Sequence, residues 1–105
     1  MSTQYRQGDV FLVRMETLKL QRATPVARDA GRIILARGEA TGHAHAISSA
    51  EAELLELENG ERYLRADAAC ELVHEEHGAI TLEPGLYRVI RQREYGPGMG
   101  RYVQD

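Results

Sequence analysis

The chain contains 105 residues, 43% of them hydrophobic and 28% charged, and this length and composition predict one globular domain spanning residues 1–105. They exclude a disordered chain. The net charge is −3, and residues 47–85 carry ten acidic side chains against two arginines. This acidic middle argues against a general nucleic-acid-binding protein, which presents a basic face.

A single cysteine, Cys70, excludes an internal disulfide and therefore a secreted disulfide scaffold. No apolar run approaches the roughly 20 residues that span a membrane. The first nine residues also lack the apolar stretch of a signal peptide. We therefore expect a cytoplasmic protein without membrane contact, in which Cys70 is a small buried residue.

The first half of the chain predicts short strands. Residues 10–13 form a continuous apolar run after Gly8, which is typical of a buried strand, and residues 32–36 predict a second strand. If the chain is extended from His43, then His43, His45 and Ile47 project from the same strand face. The first histidine pair would thus continue directly into a core-facing position.

Residues 50–58 are ambiguous, because alanine, glutamate and leucine favour a helix while Leu55 and Leu57 alternate with glutamates as in a strand. Asn59-Gly60 favours the strand, since this dipeptide between alternating residues is a strong hairpin signal. A two-residue turn there would pair Leu55 with Leu64.

The second half continues the same pattern. Residues 70, 72 and 74 share one strand face, residues 80–82 predict another strand, and residues 83–85 predict a turn. Tyr87, Val89 and Arg91 then alternate with residues of the other face. Many short strands without a long amphipathic helix predict an all-β fold, a small antiparallel barrel or sandwich, whose edge strands could support oligomers.

The four histidines fall into two close pairs, His43 with His45 and His74 with His77. Alternation on a strand brings the first two rings to one face, and a tight bend can bring the second two together. A solvated or core-bound role is the simpler interpretation of any single histidine, but the pairing favours a metal site. We therefore predict that all four imidazoles bind one divalent transition metal.

An all-nitrogen ligand set favours zinc first, with iron, nickel and copper as alternatives. If one coordination position holds water, Glu75 or Glu76 could transfer protons, and the protein would be a metal-dependent hydrolase, isomerase or oxygenase acting on a small polar molecule. If the metal is fully coordinated, it is structural. The chain would then be a non-catalytic binding or assembly module, and the two glutamates ordinary solvated residues.

Arginines and tyrosines alternate near the C-terminus. On a strand Arg91, Arg93 and Tyr95 share one face and could bind a carboxylate or phosphate, so we predict a small anionic ligand there. An edge strand protected by charge explains the same residues, and RNA binding through this segment is a further alternative.

Two resemblances follow from these segments. The His43-x-His45 pair, the acidic stretch and the later Pro84-Gly85 turn resemble a cupin, which implies a metal-binding β-barrel, although the ligand pattern fits only at His43 and His45. A closer resemblance is to small uncharacterised bacterial and phage proteins. They carry a Thr-Gly-His-x-His segment, here within residues 38–45, and a Glu-His-Gly segment leading to Arg-Gln-Arg-Glu-Tyr, here residues 76–95. This resemblance covers most of the chain and implies no activity.

Overall fold

Short antiparallel strands joined by turns make up the protein. The computed structural model describes residues 4–15, 22–38 and 42–91. The strands are β1 (Gln4–Gln7), β2 (Val10–Met15), β3 (Thr24–Pro25), β4 (Ile33–Arg37), β5 (Ala44–Ile47), β6 (Ala52–Glu56), β7 (Arg62–Ala66), β8 (Cys70–Leu72), β9 (Ile80–Leu82) and β10 (Gly85–Arg91). The helical alternative for residues 50–58 is therefore wrong, because β6 occupies that region.

Three antiparallel sheets contain these strands. Six strands form one sheet in the order β1-β2-β10-β7-β6-β3, while β4 with β5 and β8 with β9 form two-stranded sheets. The prediction of an all-β antiparallel fold is confirmed. A closed barrel is not: within the described residues the large sheet ends at β1 and β3, and the two small sheets are not part of its ladder. A cupin-like form is likewise not supported.

The described part of the chain contains no helix that is long and apolar enough to cross a membrane.

The β6–β7 hairpin confirms the predicted turn region and corrects its register. Leu55 pairs with Tyr63 rather than with Leu64. The reason is a three-residue loop: the Leu57 amide donates to the Glu61 carbonyl at 2.8 Å, and the Gly60 amide donates to the Leu57 carbonyl at 2.9 Å. Gly60 has a φ of +94°, as expected of the left-handed residue that completes such a loop.

The hydrophobic core lies against the central strands of the large sheet. Tyr87 is fully buried and Val89 is 8% exposed, so the predicted inward register of β10 is confirmed at these two positions. Cys70 is a buried free cysteine within the same core, and burial raises the pKa of its thiol. Its place in the core agrees with its interpretation as a small buried residue.

The contact between the two small sheets positions both histidine pairs. Ala46 of β5 and Val73, just after β8, exchange two backbone hydrogen bonds of 3.0 Å and 2.9 Å. This bridge fixes the segment containing His43 and His45 beside the bend containing His74 and His77. Residues about 30 positions apart in the sequence therefore meet at one place, because a short backbone ladder joins the strands that carry them.

Candidate metal centre

The four histidine rings form one contiguous cluster, with His74 at its centre. The ring of His74 lies near each of the other three. The ring-centroid distances are 5.6 Å from His43 to His74, 4.3 Å from His45 to His74, 4.6 Å from His74 to His77 and 6.0 Å from His45 to His77. The fold thus brings together the two pairs that are separate in the sequence. We call these four residues the histidine cluster.

The cluster has a buried and an accessible side. His45 lies within β5, whose four residues are all buried, and is only 4% exposed. His43, His74 and His77 are half-buried, and Glu75 and Glu76 beside them are exposed. An ion held by the cluster would therefore have protein on one side and water on the other.

The buried ring of His45 is held by a side chain that sequence analysis did not single out. Gln7, at the end of β1, accepts a hydrogen bond from Nδ1 of His45 at 2.9 Å. The amide nitrogen of Gln7 donates to the carbonyls of Leu72 and Gly78 at 3.0 Å and 2.9 Å. Since those carbonyls can only accept, the amide oxygen must face His45, and Nδ1 must carry the proton of the ring.

Burial also controls the charge of His45. Loss of solvation lowers the pKa of His45 from 6.5 to about 4, with a further lowering from His74 and an opposing effect of Asp9. Burial and the neighbouring His77 also lower the pKa of His74. Both rings are therefore neutral at pH 7, the state in which an imidazole binds a metal.

Glu75 and Glu76 contact the cluster in different ways. Glu75 accepts the Ala44 backbone N–H at 2.9 Å, and this hydrogen bond lowers the pKa of its carboxyl. Glu76 lies 3.4 Å from Nδ1 of His43, and its backbone N–H donates to Nδ1 of His74 at 3.0 Å. The carboxylate of Glu76 is thus suited to orient an imidazole, as carboxylates do around metal-binding histidines.

The ligand atoms of His43, His74 and Glu75 all lie within 4.8 Å of one another. This is a compact group of three donors that could share an ion after small side-chain movements. His45 and His77 do not belong to this group, so their nitrogens would have to move further to bind the same ion. Glu75, which the sequence suggested as a proton-transfer residue, is therefore equally placed to be a ligand. His74 would have to release the Glu76 N–H, because one lone pair cannot accept that hydrogen bond and also bind a metal.

The turn between β1 and β2 covers the buried side of the cluster, and sequence analysis missed its contribution. Asp9 in this turn places Oδ1 at 3.5 Å from Nε2 of His45. Gly8 lies directly against the rings of His77 and His45. No sequence signal indicates these contacts, because a Gly-Asp pair between two strands predicts only a turn.

Of the predicted anion-binding residues, the structure describes Arg91. Its Nη2 lies 3.4 Å from Oδ2 of Asp9 and donates to the Arg37 carbonyl at 3.2 Å. Because Asp9 contacts both Arg91 and His45, this arginine lies beside the histidine cluster. Arg93 and Tyr95 lie outside the described residues.

On its other side Arg91 lines a cleft of about 890 Å³ between β4, the end of β10 and the β6–β7 loop. Four arginines and two acids are among its lining residues: Arg37, Arg62, Arg88, Arg91, Asp29 and Glu61. Apolar residues also line the cleft, among them Ile34, Leu35 and Val89. Each of the four arginines also forms an ion pair: Arg37 with Asp29, Arg62 with Glu56, Arg88 with Glu61 and Arg91 with Asp9.

The fold and the site together define an all-β protein with a cluster of histidines and carboxylates between two small sheets and a turn. Residues 6–92 match the family described as DUF8820, a domain of unknown function, and the chain belongs to this family. The predicted resemblance to a small uncharacterised family is confirmed at that level, without a link to phage proteins or cupins. Comparisons with curated proteins and with solved structures found no match.

Proposed function

We propose that this protein binds one divalent transition metal at the histidine cluster. The observation that carries the proposal is the convergence of four imidazoles from two separate segments, with neighbouring ring centroids 4.3 Å to 6.0 Å apart. Packing alone gives little reason to gather four such rings, since each ring brings two polar nitrogens that need partners. A shared cation supplies a partner to several nitrogens at once.

The donor types favour zinc, with iron, nickel and copper as alternatives. The cluster offers imidazole nitrogens and carboxylate oxygens, and Cys70 belongs to the hydrophobic core rather than to the cluster. Structural zinc sites usually include thiolates, whereas catalytic zinc sites commonly combine histidines with a carboxylate and keep one position for water. The ligand chemistry therefore favours a catalytic over a purely structural metal.

The accessible side of the cluster also favours a catalytic metal. Glu75 and Glu76 are exposed and border the half-buried rings of His43 and His74. A water bound on this side would lie within reach of a carboxylate that can accept its proton. On this basis the proposed activity is metal-dependent hydrolysis, isomerisation or oxygenation of a small polar molecule, and the rival is a module stabilised by a structural metal.

Metal binding can be measured directly. Protein purified without added metal is analysed for its metal content, stripped with a chelator and titrated with Zn²⁺ against a competing indicator. We expect one tightly bound ion, and stabilisation of about 2.7 kcal/mol at a free zinc concentration 100 times the Kd. His43→Ala and His77→Ala should weaken binding, while Thr81→Ala, an exposed substitution on β9, should leave it unchanged.

A wild-type protein that contains no metal and binds none of the four candidate ions would contradict the proposal. A closed site and an open site are then distinguished by a crystal structure of the zinc form. A water molecule as the fourth ligand supports the catalytic version. Four protein ligands support the structural one.

We also propose that the arginine-lined cleft binds a small anionic molecule. The supporting observation is that four arginines line the cleft, where an anion could share their guanidinium groups with the carboxylates that they already contact. Inorganic phosphate and succinate, titrated by NMR, should give saturable shifts of amides near Arg62 and Arg88. Arg62→Gln and Arg88→Gln should weaken these shifts, while Arg65→Gln, on the same strand as Arg62 but not among the lining residues, should not. Shifts spread evenly over the surface would contradict this second function.

A further inference from the structure

The geometry around the buried histidine extends the proposed metal site to a residue outside the histidine cluster. Asp9 divides its two oxygens between two partners: Oδ1 faces Nε2 of His45 at 3.5 Å, and Oδ2 faces the guanidinium of Arg91 at 3.4 Å. The side chain of His45 is 5% exposed and that of Asp9 is 27% exposed. The pair thus joins a buried imidazole to a partly accessible carboxylate.

Gln7 determines which atom of His45 faces Asp9. Its amide nitrogen is engaged by two carbonyls, so its oxygen must accept the proton on Nδ1 of His45. The nitrogen of His45 that remains to bind a cation is therefore Nε2. It faces Oδ1 of Asp9 across 3.5 Å. Either a proton on Nε2 or a metal ion between the two atoms makes this contact favourable.

The separation fits two ligands of one ion. A tetrahedral metal with bonds of about 2.0–2.2 Å holds neighbouring donor atoms about 3.3–3.6 Å apart. The distance between Nε2 of His45 and Oδ1 of Asp9 falls within this range. A histidine whose second nitrogen donates to a fixed acceptor, as His45 does to Gln7, is also the usual arrangement of a metal-binding imidazole.

We infer that Asp9 is a ligand of the metal centre, that it binds the same ion as Nε2 of His45, and that Gln7 is a positioning residue which fixes the ring of His45 for this role. The inference rests on the proposed metal-binding function. It adds the carboxylate of Asp9 to the donors offered by the histidine cluster and Glu75. Arg91 holds the second oxygen of Asp9, so that the carboxylate presents Oδ1 to the ion.

The ligand role is tested by Asp9→Asn, which keeps the size of the side chain and removes its charge. Asp29→Asn is the matched control, because Asp29 also pairs with an arginine, Arg37, but not with a histidine. In a competition titration with Zn²⁺ we expect Asp9→Asn to raise the Kd at least about tenfold, and Asp29→Asn to leave it within about twofold. The visible spectrum of the Co²⁺ form should change only in Asp9→Asn.

Different results separate the two proposals. If His45→Ala abolishes zinc binding while Asp9→Asn binds zinc and cobalt as the wild type does, Asp9 is not a ligand and the metal site stands. If the wild type binds none of zinc, iron, nickel and copper, the metal site itself is wrong. If zinc binds and the Asp9→Asn and Asp29→Asn variants lose affinity equally, the effect is one of general charge, and the ligand role is also refuted.

The positioning role of Gln7 is tested without metal, by the nitrogen chemical shifts of the imidazoles in the chelator-treated protein at pH 7.5. We expect His45 to carry its proton on Nδ1 in the wild type. Gln7→Met, which keeps the length of the side chain but removes its hydrogen bonds, should give a mixture of tautomers and a higher Kd for zinc. A wild-type His45 protonated on Nε2, whether alone or together with Nδ1, would overturn this role even if the Gln7 variant failed to fold.

Discussion

Gly8 lies so close to the histidine cluster that a β-carbon at this position would be 2.8 Å from Nε2 of His77 and 3.2 Å from Cε1 of His45. Gly8 also has a φ of +59°, in the left-handed region. Glycine is therefore favoured twice, once by the backbone conformation of the β1–β2 turn and once by the rings packed against it. This close approach is what allows the turn to cover the buried side of the cluster.

Gly8→Ala should accordingly lower the free energy of unfolding by more than backbone strain alone explains. The matched control is Gly31→Ala, because Gly31 has a φ of +82° and a β-carbon there would meet no described atom within 4 Å beyond its chain neighbours. We expect Gly31→Ala to lower the free energy of unfolding by about 1 kcal/mol, and Gly8→Ala to lower it by about 2–3 kcal/mol. Urea denaturation measures both losses of stability. Equal losses would show that the rings of His77 and His45 can move aside without destabilising the protein.

Gly8→Ala should also weaken zinc binding, since His77 must move away from the new methyl group. Gly31→Ala should bind zinc as the wild type does. This comparison separates a change in the cluster from a general loss of stability, because both variants carry the same kind of backbone strain.

The local structure of the chain was largely predictable, because alternation and turn residues act over a few positions. Asn59-Gly60 correctly indicated a hairpin, and Tyr87 with Val89 correctly indicated the inward face of β10. The register was missed by one residue because Glu58 joins Asn59 and Gly60 in the loop. A dipeptide signal reports that a turn exists, whereas the loop length depends on how the strands pair.

The site was predictable only in part. The histidines were visible as two pairs, but Gln7 and Asp9 approach His45 across 38 and 36 positions of sequence. No local pattern reports a contact of that separation. The closed barrel that the sequence suggested is not confirmed, for a related reason. The number and spacing of strands do not determine whether β4 and β5 pair with the strands of the large sheet.

The hairpin loop gives a second prediction. Gly60→Val should destabilise the protein by about 1–2 kcal/mol, because valine is strongly disfavoured at a φ of +94°. Among the described residues, none beyond the chain neighbours has an atom within 4 Å of a β-carbon at Gly60, so the loss would report backbone strain rather than a steric contact. Gly78→Val, at an exposed glycine without a positive φ and with equally open surroundings, is the control. Equal effects of the two variants would contradict the proposed origin of the loss.

The buried amide of Gln7 gives a third prediction. Gln7 is only 2% exposed. Gln7→Ala removes the hydrogen-bond partner of the Leu72 and Gly78 carbonyls and of Nδ1 of His45. We expect a loss of about 2–4 kcal/mol of unfolding free energy, since buried polar groups would be left without hydrogen bonds. Gln4→Ala, at the exposed start of the same strand, should change stability by less than about 0.5 kcal/mol. Comparable losses would show that β1, rather than the amide, is the sensitive element.

The last prediction concerns acid stability of the metal-free protein. His45 has a folded-state pKa of about 4 against an ordinary value of 6.5, so between these values the unfolded chain binds a proton that the folded protein does not. Stability should therefore fall as the pH is lowered through this window, by about 1.4 kcal/mol per pH unit and about 3 kcal/mol in total from His45. His74, whose pKa is also lowered, acts in the same direction. Urea denaturation of chelator-treated protein at pH 7.5, 5.5 and 4.5 measures the slope, and His45→Gln should reduce it because glutamine does not titrate. A wild-type stability that stays constant or rises as the pH falls from 7.5 to 4.5, or an unchanged slope in His45→Gln, would show that burial of a neutral His45 does not govern the acid stability of this fold.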